Sequence, residues 1–523
     1  MDICFLSAAK RQQRRCGKGS LPRRWGTSYV VWQPHAIPVV PVTEHAAPTG
    51  ARSPIFPAHA DKEQAMNAAK PALTPEQRSF LEALFKDDAA FEEDALRVYA
   101  SDASLRRGPV LAMVRPRTVE QVRELMRWAE VERIPIHPRG RGTSLSGGCV
   151  PTRAGVVVSM LGMDRIFDIS SEDFVAVIEP GVNTLAFQQA CEQKGLFYPP
   201  DPASGKATSV GGNVMTCAGG LRAVKYGVTR DYVLGMEVVL PGGKLLKLGG
   251  RTHKDVIGLD ISRMFVGSEG TLGIVTKLYL KLLPKPESSA SVLVGYPSLD
   301  AALSSMSKVF TAGILPCAVE FMNETVLEIL SRTGDVPWPD TVKSLLLFQV
   351  DGSRETVPLE NARLAAQLDD ALWSMQGVGK EEEDRLWAFR RRVSSSSYVL
   401  GPDRIGGDMA VPRGSLLKAV RRFEAIAASH GKRLIGFGHA GDGNIHANLH
   451  YDASDPDDAR RTAAAHHALD DAALEFGGSL SGEHGGGCLK DVGKQLGADE
   501  LEAMRAVRRL FDPQGILNPG KGY

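Results

Sequence analysis

The sequence predicts an α+β protein built from two successive mixed regions, and three observations carry that reading. From Arg107 to about Pro286, short β-branched runs such as Gly155-Val156-Val157-Val158 and Phe174-Val175-Ala176-Val177-Ile178 alternate with helical pattern such as Val119 to Val131. Lys285-Pro286-Glu287-Ser288-Ser289 then interrupts both periodicities and reads as a boundary. Beyond it, strands (Val292 to Tyr296, Leu345 to Val350) and helices (Asp300 to Thr311, Leu359 to Met375) resume as far as His450. These observations divide the chain at 66–106 (an N-terminal helical segment), 107–286, 287–456 and 457–523 (a C-terminal helical segment). In the first segment, helical pattern runs from Pro75 to Tyr99, with Phe80, Leu81, Leu84 and Phe85 as its apolar stripe. In the last, Asp457 to Phe476 is a helix carrying His466 and His467 as surface residues, and Phe511 to Tyr523 folds back on the first region.

Composition sets bounds on function. With 43% hydrophobic and 24% charged residues and a net charge of +1, the chain has the makeup of a water-soluble globular protein, and nothing points to nucleic acid or an acidic membrane as principal partner. Seven scattered cysteines with no C-x-x-C pair indicate a reducing compartment and no iron–sulfur cluster in this chain. No apolar run reaches the roughly 18 residues that span a bilayer. The expected location is cytoplasmic, with peripheral attachment at an inner membrane as the variant. Residues 1–65 are rich in Lys, Arg and Pro and poor in acids; they read as disordered, either an over-extended start preceding Met66 or a leader.

Gly438-His439-Ala440-Gly441-Asp442-Gly443-Asn444-Ile445-His446-Ala447-Asn448, followed downstream by Ser481-Gly482-Glu483-His484-Gly485, reads as a metal site with a base beside it. Asp442-Gly443 is a two-residue hairpin signal, which would set His439 opposite His446. Directly opposed residues have Cβ atoms roughly 5 Å apart, so two imidazoles on one face converge on a cation. The period of two adds Asn444 and Asn448 to that face and sends Ile445, Ala447 and Leu449 to the other. Glu483 supplies a third, carboxylate ligand and His484 remains a free imidazole; histidines satisfied by hydrogen bonds in a glycine-rich loop are the alternative.

A second cluster, Arg139-Gly140-Arg141-Gly142-Thr143-Ser144-Leu145-Ser146-Gly147-Gly148, follows the apolar Ile134-Pro135-Ile136 and offers backbone N–H groups to a phosphate. It lacks the third glycine of a nicotinamide fingerprint. Asp201-Pro202-Ala203-Ser204, Ser209-Val210-Gly211-Gly212-Asn213, Ala218-Gly219-Gly220, Gly267-Ser268-Glu269-Gly270-Thr271-Leu272-Gly273-Ile274 and Leu517-Asn518-Pro519-Gly520-Lys521 follow in order.

From about residue 75 onward these ordered motifs resemble the FAD-dependent oxidoreductases of the vanillyl-alcohol oxidase and p-cresol methylhydroxylase type, in the branch of glycolate oxidase flavin subunits, D-lactate dehydrogenases and D-2-hydroxyglutarate dehydrogenases. The resemblance implies a two-subdomain FAD-binding domain over 107–286, an α+β substrate or cap domain over 287–456, and a C-terminal helical return to FAD. It implies FAD contacts at Arg139, Gly140, Arg141, Gly142, Thr143, Ser144, Ser146, Gly147, Pro202, Ser209, Gly211, Gly212, Asn213, Gly219, Ile274 and Asn518. FAD is expected to be non-covalent, because covalently flavinylated relatives carry histidine where Thr143 stands. His439, His446 and Glu483 resemble the family's ligands for a divalent metal, zinc first and manganese second. His484 resembles its base, Arg390 and Ser394 its carboxylate-holding groups, and Asn448 a further active-site residue. Trp387, Arg390 and Ser394, at i, i+3 and i+7, share a helix face. The chain departs from the family's usual residues at Arg141, Cys217, Gly486 and Cys488, the last either approaching the metal or packing as a small thiol.

The implied activity is oxidation of a small D-2-hydroxy acid to the 2-oxo acid. Hydroxyglutarate enzymes carry lysine where Gly406 stands, which favours D-lactate or glycolate here over D-2-hydroxyglutarate. Electrons pass to a separate acceptor: a cytochrome, a quinone, an electron-transfer flavoprotein or an iron–sulfur subunit. A homodimer is the expected assembly. The rival class is a non-redox flavoenzyme similar to alkylglycerone-phosphate synthase, against which the intact Ser-Gly-Glu-His-Gly run speaks.

Overall fold

The computed structural model describes residues 72–368 and 370–523, so the expectation for residues 1–65 lies outside the described residues. Strand Val110–Val114, helix Val119–Glu132 and strand Ile136–Arg139 form a crossover unit, and both strands run parallel to Gly155–Ser159. Thr118 caps the helix by accepting from the Gln121 N–H, and Val122, Leu125, Met126 and Ala129 form its buried stripe. The glycine-rich loop leaves the C-terminal end of Ile136–Arg139, the place where open α/β sheets bind ligands. A five-stranded antiparallel sheet follows, ordered Ile166–Ser170, Val175–Ile178, Ile274–Lys281, Val233–Val239, Leu245–Gly249.

The second region is a seven-stranded antiparallel sheet: Trp373–Val378, Ser288–Tyr296, Ser344–Gly352, Ala318–Met322, Ile435–His439, Asn444–Tyr451, Asp403–Ala410. Both faces are covered. Val292, Phe348, Met409, Ile445, Ala447 and Leu449 pack with residues of helices Leu299–Thr311, Leu416–Ser429 and Pro456–Glu475. Leu293, Leu347, Ile435 and Phe437 pack on the other side with helices Glu324–Arg332 and Lys380–Ser396. Continuous apolar runs such as Leu345-Leu346-Leu347-Phe348 follow from that double burial, and a polar residue inside such a strand needs a specific partner.

Three expectations need correction. The helical pattern from Pro75 to Tyr99 breaks into two helices, Pro75–Phe85 and Glu93–Leu96; between them Lys86 turns to φ +51, and Ala89–Ala90 pairs antiparallel with Val110–Val114. Asp88, held by Arg115 and Arg117, anchors that turn, so tertiary pairing overrides the local pattern. Likewise the helix expected to reach Met375 is Thr356–Ala365, and Trp373–Val378 instead extends the sheet as an edge strand beside Ser288–Tyr296. Finally, His466 is not a surface residue: its side chain is 15% exposed beside Asp470, and burial pulls its pKa down to about 4.

Candidate active site

The histidine hairpin forms with a register that differs from the expected one. Phe437, not His439, lies opposite His446, because Ala440 to Gly443 all belong to the loop. The offset is two residues, so parity survives: His439 and His446 keep the same face as diagonal neighbours, with ring centroids 5.3 Å apart. The side chains of Glu320 and Asp408 share this face, since their strand neighbours Phe321 and Met409 belong to the opposite core.

Glu483 and His484 come from a segment strapped to the outer edge of strand Asp403–Ala410. Ser479 and Ser481 bridge to Ala410 and Asp408, and the Gly482 N–H donates to the Asp408 carbonyl. Asp408 then organises the turn: its Oδ2 accepts from the Glu483 and His484 N–H groups at 3.0 and 2.9 Å and from Ser481 Oγ at 3.0 Å, while Oδ1 accepts from Asn444 Nδ2 at 2.8 Å. Gly482 is required at this crossing, since a Cβ there would lie 2.0 Å from Asn444 Nδ2.

The result is a focus on one oxygen. Glu483 Oε1 lies 3.6 Å from His439 Nε2 and 3.5 Å from both His446 Nε2 and His484 Nε2. Two ligands each bound at about 2.1 Å to a tetrahedral ion sit about 3.4 Å apart, so His439 and His446 each stand near ligand–ligand spacing from Glu483, and the three have the donor chemistry to hold a divalent cation. One donor atom each from Asp408, His446, Glu483 and His484 also falls within 4.8 Å. Asp408, however, is already saturated by four donors, which makes it a scaffold for the turn.

The cluster's electrostatics are those of a site for a cation. Burial pushes His439 down, but the Glu320 and Glu483 charges outweigh it and hold the imidazole well above its ordinary value. His446, buried with less compensation, drops to about 4. Burial also opposes ionisation of Glu483, yet the histidines, His439 foremost, keep it well below the carboxylate range. For His484 burial is again overcome, here by Asp408 and Glu483, and the net shift is upward.

Sequence reasoning missed Glu320 and Asp408. Glu320 is fully buried; Oε1 meets His439 Nδ1 at 2.5 Å and Oε2 accepts from Arg390 Nε at 2.5 Å. A lone acid inside Ala318-Val319-Glu320-Phe321-Met322 was the available signal. Arg390 also lies over the Phe437 ring, 4.5 Å from its centroid. Ser394, one turn further along helix Lys380–Ser396, is exposed, and no contact joins its side chain to the cluster. Asn448 is buried and faces Gly406, where a Cβ would lie 3.0 Å from its Oδ1.

A cleft of about 420 Å³ opens beside this cluster, and Glu483 and His484 form part of its wall. Arg139, Gly140, Arg141, Gly142, Thr143, Ser144, Pro202, Ser209, Gly211, Gly212, Asn213 and Ile274 also line it. Its fit to a dinucleotide is visible in two features. Arg139 Nη1 is buried without a hydrogen-bond partner, as a donor awaiting an anion would be. Gly211 cannot carry a side chain, since a Cβ would lie 2.4 Å from Pro180 Cβ and 2.7 Å from the Pro180 carbonyl oxygen, whereas one at Gly140 would crowd only Ser209 Oγ, at 2.6 Å. The remaining predicted contacts brace the cleft from behind. Ser146 Oγ donates to the His484 carbonyl, the Gly147 carbonyl accepts from Lys521 Nζ at 2.6 Å, Gly219 backs Glu483, and Asn518 Nδ2 donates to the Gly148 and Glu269 carbonyls. Cys488 is exposed, with Sγ 3.6 Å from the Gly147 carbonyl, and Cys217 occupies a left-handed helix cap at φ +51. The described cysteines are free.

Residues 110–249 match the FAD binding domain family and residues 285–522 the family of FAD linked oxidases, C-terminal domain. Glycolate oxidase subunit GlcD of Bacillus subtilis (strain 168) is 40% identical over 416 residues, 79% of this chain and 88% of that protein. D-lactate dehydrogenase of Anaerostipes hadrus is 35% identical over 428 residues, covering 78% and 88%. D-2-hydroxyglutarate dehydrogenase of Stutzerimonas stutzeri (strain A1501) is 32% identical over 463 residues, covering 86% and 98%. In fold, the chain is similar to a crystal structure of p-cresol methylhydroxylase with substrate bound, with TM-score 0.68 at 19% identity over 84% of this chain and 95% of that one. With both of its regions matched by family and relatives this similar over most of their length, the chain belongs to the FAD-linked oxidases and is an FAD-linked oxidoreductase.

Proposed function

We propose that the protein oxidises a small D-2-hydroxy acid, D-lactate or glycolate, to the 2-oxo acid and passes the electrons to a separate acceptor. The observation that carries this reading is the shared wall: Glu483 and His484, tied to the histidine cluster, also line the cleft formed by the FAD-binding glycines. Non-covalent FAD in the cleft would supply the hydride acceptor, and His439, His446 and Glu483 would hold a divalent cation, zinc or manganese, that would supply Lewis acidity at the substrate hydroxyl. His484 takes the hydroxyl proton at Nε2, the nitrogen on the Glu483 side, 3.5 Å from Oε1, while Nδ1 lies 3.5 Å from Asp408 Oδ2. Arg390 keeps Nε on Glu320, which leaves its Nη groups for the substrate carboxylate; Ser394, exposed a turn away, takes no part in this clamp. Asn448 stands opposite Gly406, where no side chain reaches for a second acid group. Among the described residues no helix is long and apolar enough to cross a membrane.

A dicarboxylate such as D-2-hydroxyglutarate is favoured by one observation: Lys490 Nζ is buried without a hydrogen-bond partner, and its charge is felt at His484. Anaerobic mixing with a panel of D- and L-2-hydroxy acids decides the matter. Bleaching of FAD by D-lactate or glycolate, and not by their larger dicarboxylate analogue, is the expected result; bleaching by none of them returns the chain to a non-redox flavoenzyme.

A further inference from the structure

We propose that Glu320 is a positioning residue that couples the metal site to the substrate-carboxylate clamp, one carboxylate fixing the tautomer of His439 and the placement of Arg390. The inference rests on the reading above.

Glu320 lies directly opposite His439 in the pairing of strands Ala318–Met322 and Ile435–His439, and it has no exposed surface. An ionised carboxylate only accepts, so the 2.5 Å contact requires the proton on His439 Nδ1. His439 Nε2, 3.6 Å from Glu483 Oε1, is then the atom presented to a cation. The second oxygen holds Arg390 by Nε, while Phe437 supports the guanidinium from below and also lies 5.2 Å from the His446 ring, centroid to centroid. With both oxygens engaged on rigid neighbours, Glu320 cannot move towards one partner without leaving the other. A cation that orders His439 therefore also orders the clamp, and by reciprocity the clamp affects the affinity for the cation.

The test is Zn²⁺ affinity, measured by competition with a chelator on FAD-loaded protein. Glu320→Gln should weaken zinc binding by about 10–100-fold, the usual cost of losing such a partner to a ligating histidine, with FAD retained. At saturating zinc it should also raise KM for the hydroxy acid. Arg390→Gln, which touches no ligand of the cation, should weaken zinc binding several-fold through the loosened Glu320. This second variant decides the case if Glu320→Gln fails to fold. Wild-type zinc affinity in both variants overturns the coupling while leaving the metal site intact. Failure of the unmodified protein to bind zinc or manganese overturns the metal site itself and the coupling with it.

Discussion

The glycine-rich cleft and the histidine-bearing sheet meet at Glu483 and His484 but are built by opposite means. The cleft is built largely from main chain: Gly211 matters because it has no side chain, and Arg139 adds a buried guanidinium nitrogen without a partner. The sheet works with side chains projected from strands, where each donor depends on parity and on a carboxylate behind it. One region is therefore sensitive to added atoms and the other to removed charge, and substitutions in each should fail differently.

The largest separation is expected from Glu483→Gln. It should abolish metal binding and most turnover while the flavin spectrum persists, because the cleft's glycines are untouched; loss of FAD together with metal would show that the two regions are one cooperative unit. Next comes His484→Ala, which should keep metal and FAD and slow flavin reduction by roughly 10²–10⁴-fold, the contribution of a general base; a near-normal single-turnover rate removes His484 from the chemistry. Gly211→Ala tests the converse. Crowding Pro180 should cost about 1–3 kcal/mol, read as weaker FAD retention, with zinc affinity unchanged.

The smallest effect is a titration. With its pKa raised by Glu320 and Glu483, His439 is an imidazolium with both nitrogens protonated at neutral pH when no cation is present, whereas His446, lowered to about 4, is a neutral imidazole. A cation must displace the Nε2 proton of His439, so affinity should rise with pH until the raised His439 value is passed and then level off. Calorimetry in buffers of differing ionisation enthalpy should show about one proton released per cation near pH 7; none released would mean that His439 is not a ligand.

How much of this was legible depended on what the signal encodes. The Asp442-Gly443 pair suggested a two-residue turn and the loop is longer, yet His439 and His446 still share a face because an even offset preserves alternation. An odd offset would have scattered the cluster. Glycine spacing identified the cleft because close backbone approach tolerates no substitute. The scaffold was less legible: Glu320 reads as one acid in an apolar strand, and its partner His439 lies 119 residues away. Asp408 and Glu483, 75 residues apart, meet only once the edge strand is strapped. Neither pairing leaves a local periodicity to read, and the same holds for the turn at Lys86, which is set by Arg115 and Arg117.

The lysine that braces the cleft carries a consequence for biosynthesis. Lys521 Nζ, buried, reaches the carbonyl of Gly147 across 374 residues of sequence, and Asn518 reaches Gly148 across 370. A nascent chain can fold the parallel strands and even shape the glycine loop early, but the back wall of the cleft does not exist until residue 521 has cleared the ribosome. The loop is thus held from behind by contacts that can form only after the 370 residues between Gly148 and Asn518 have been made.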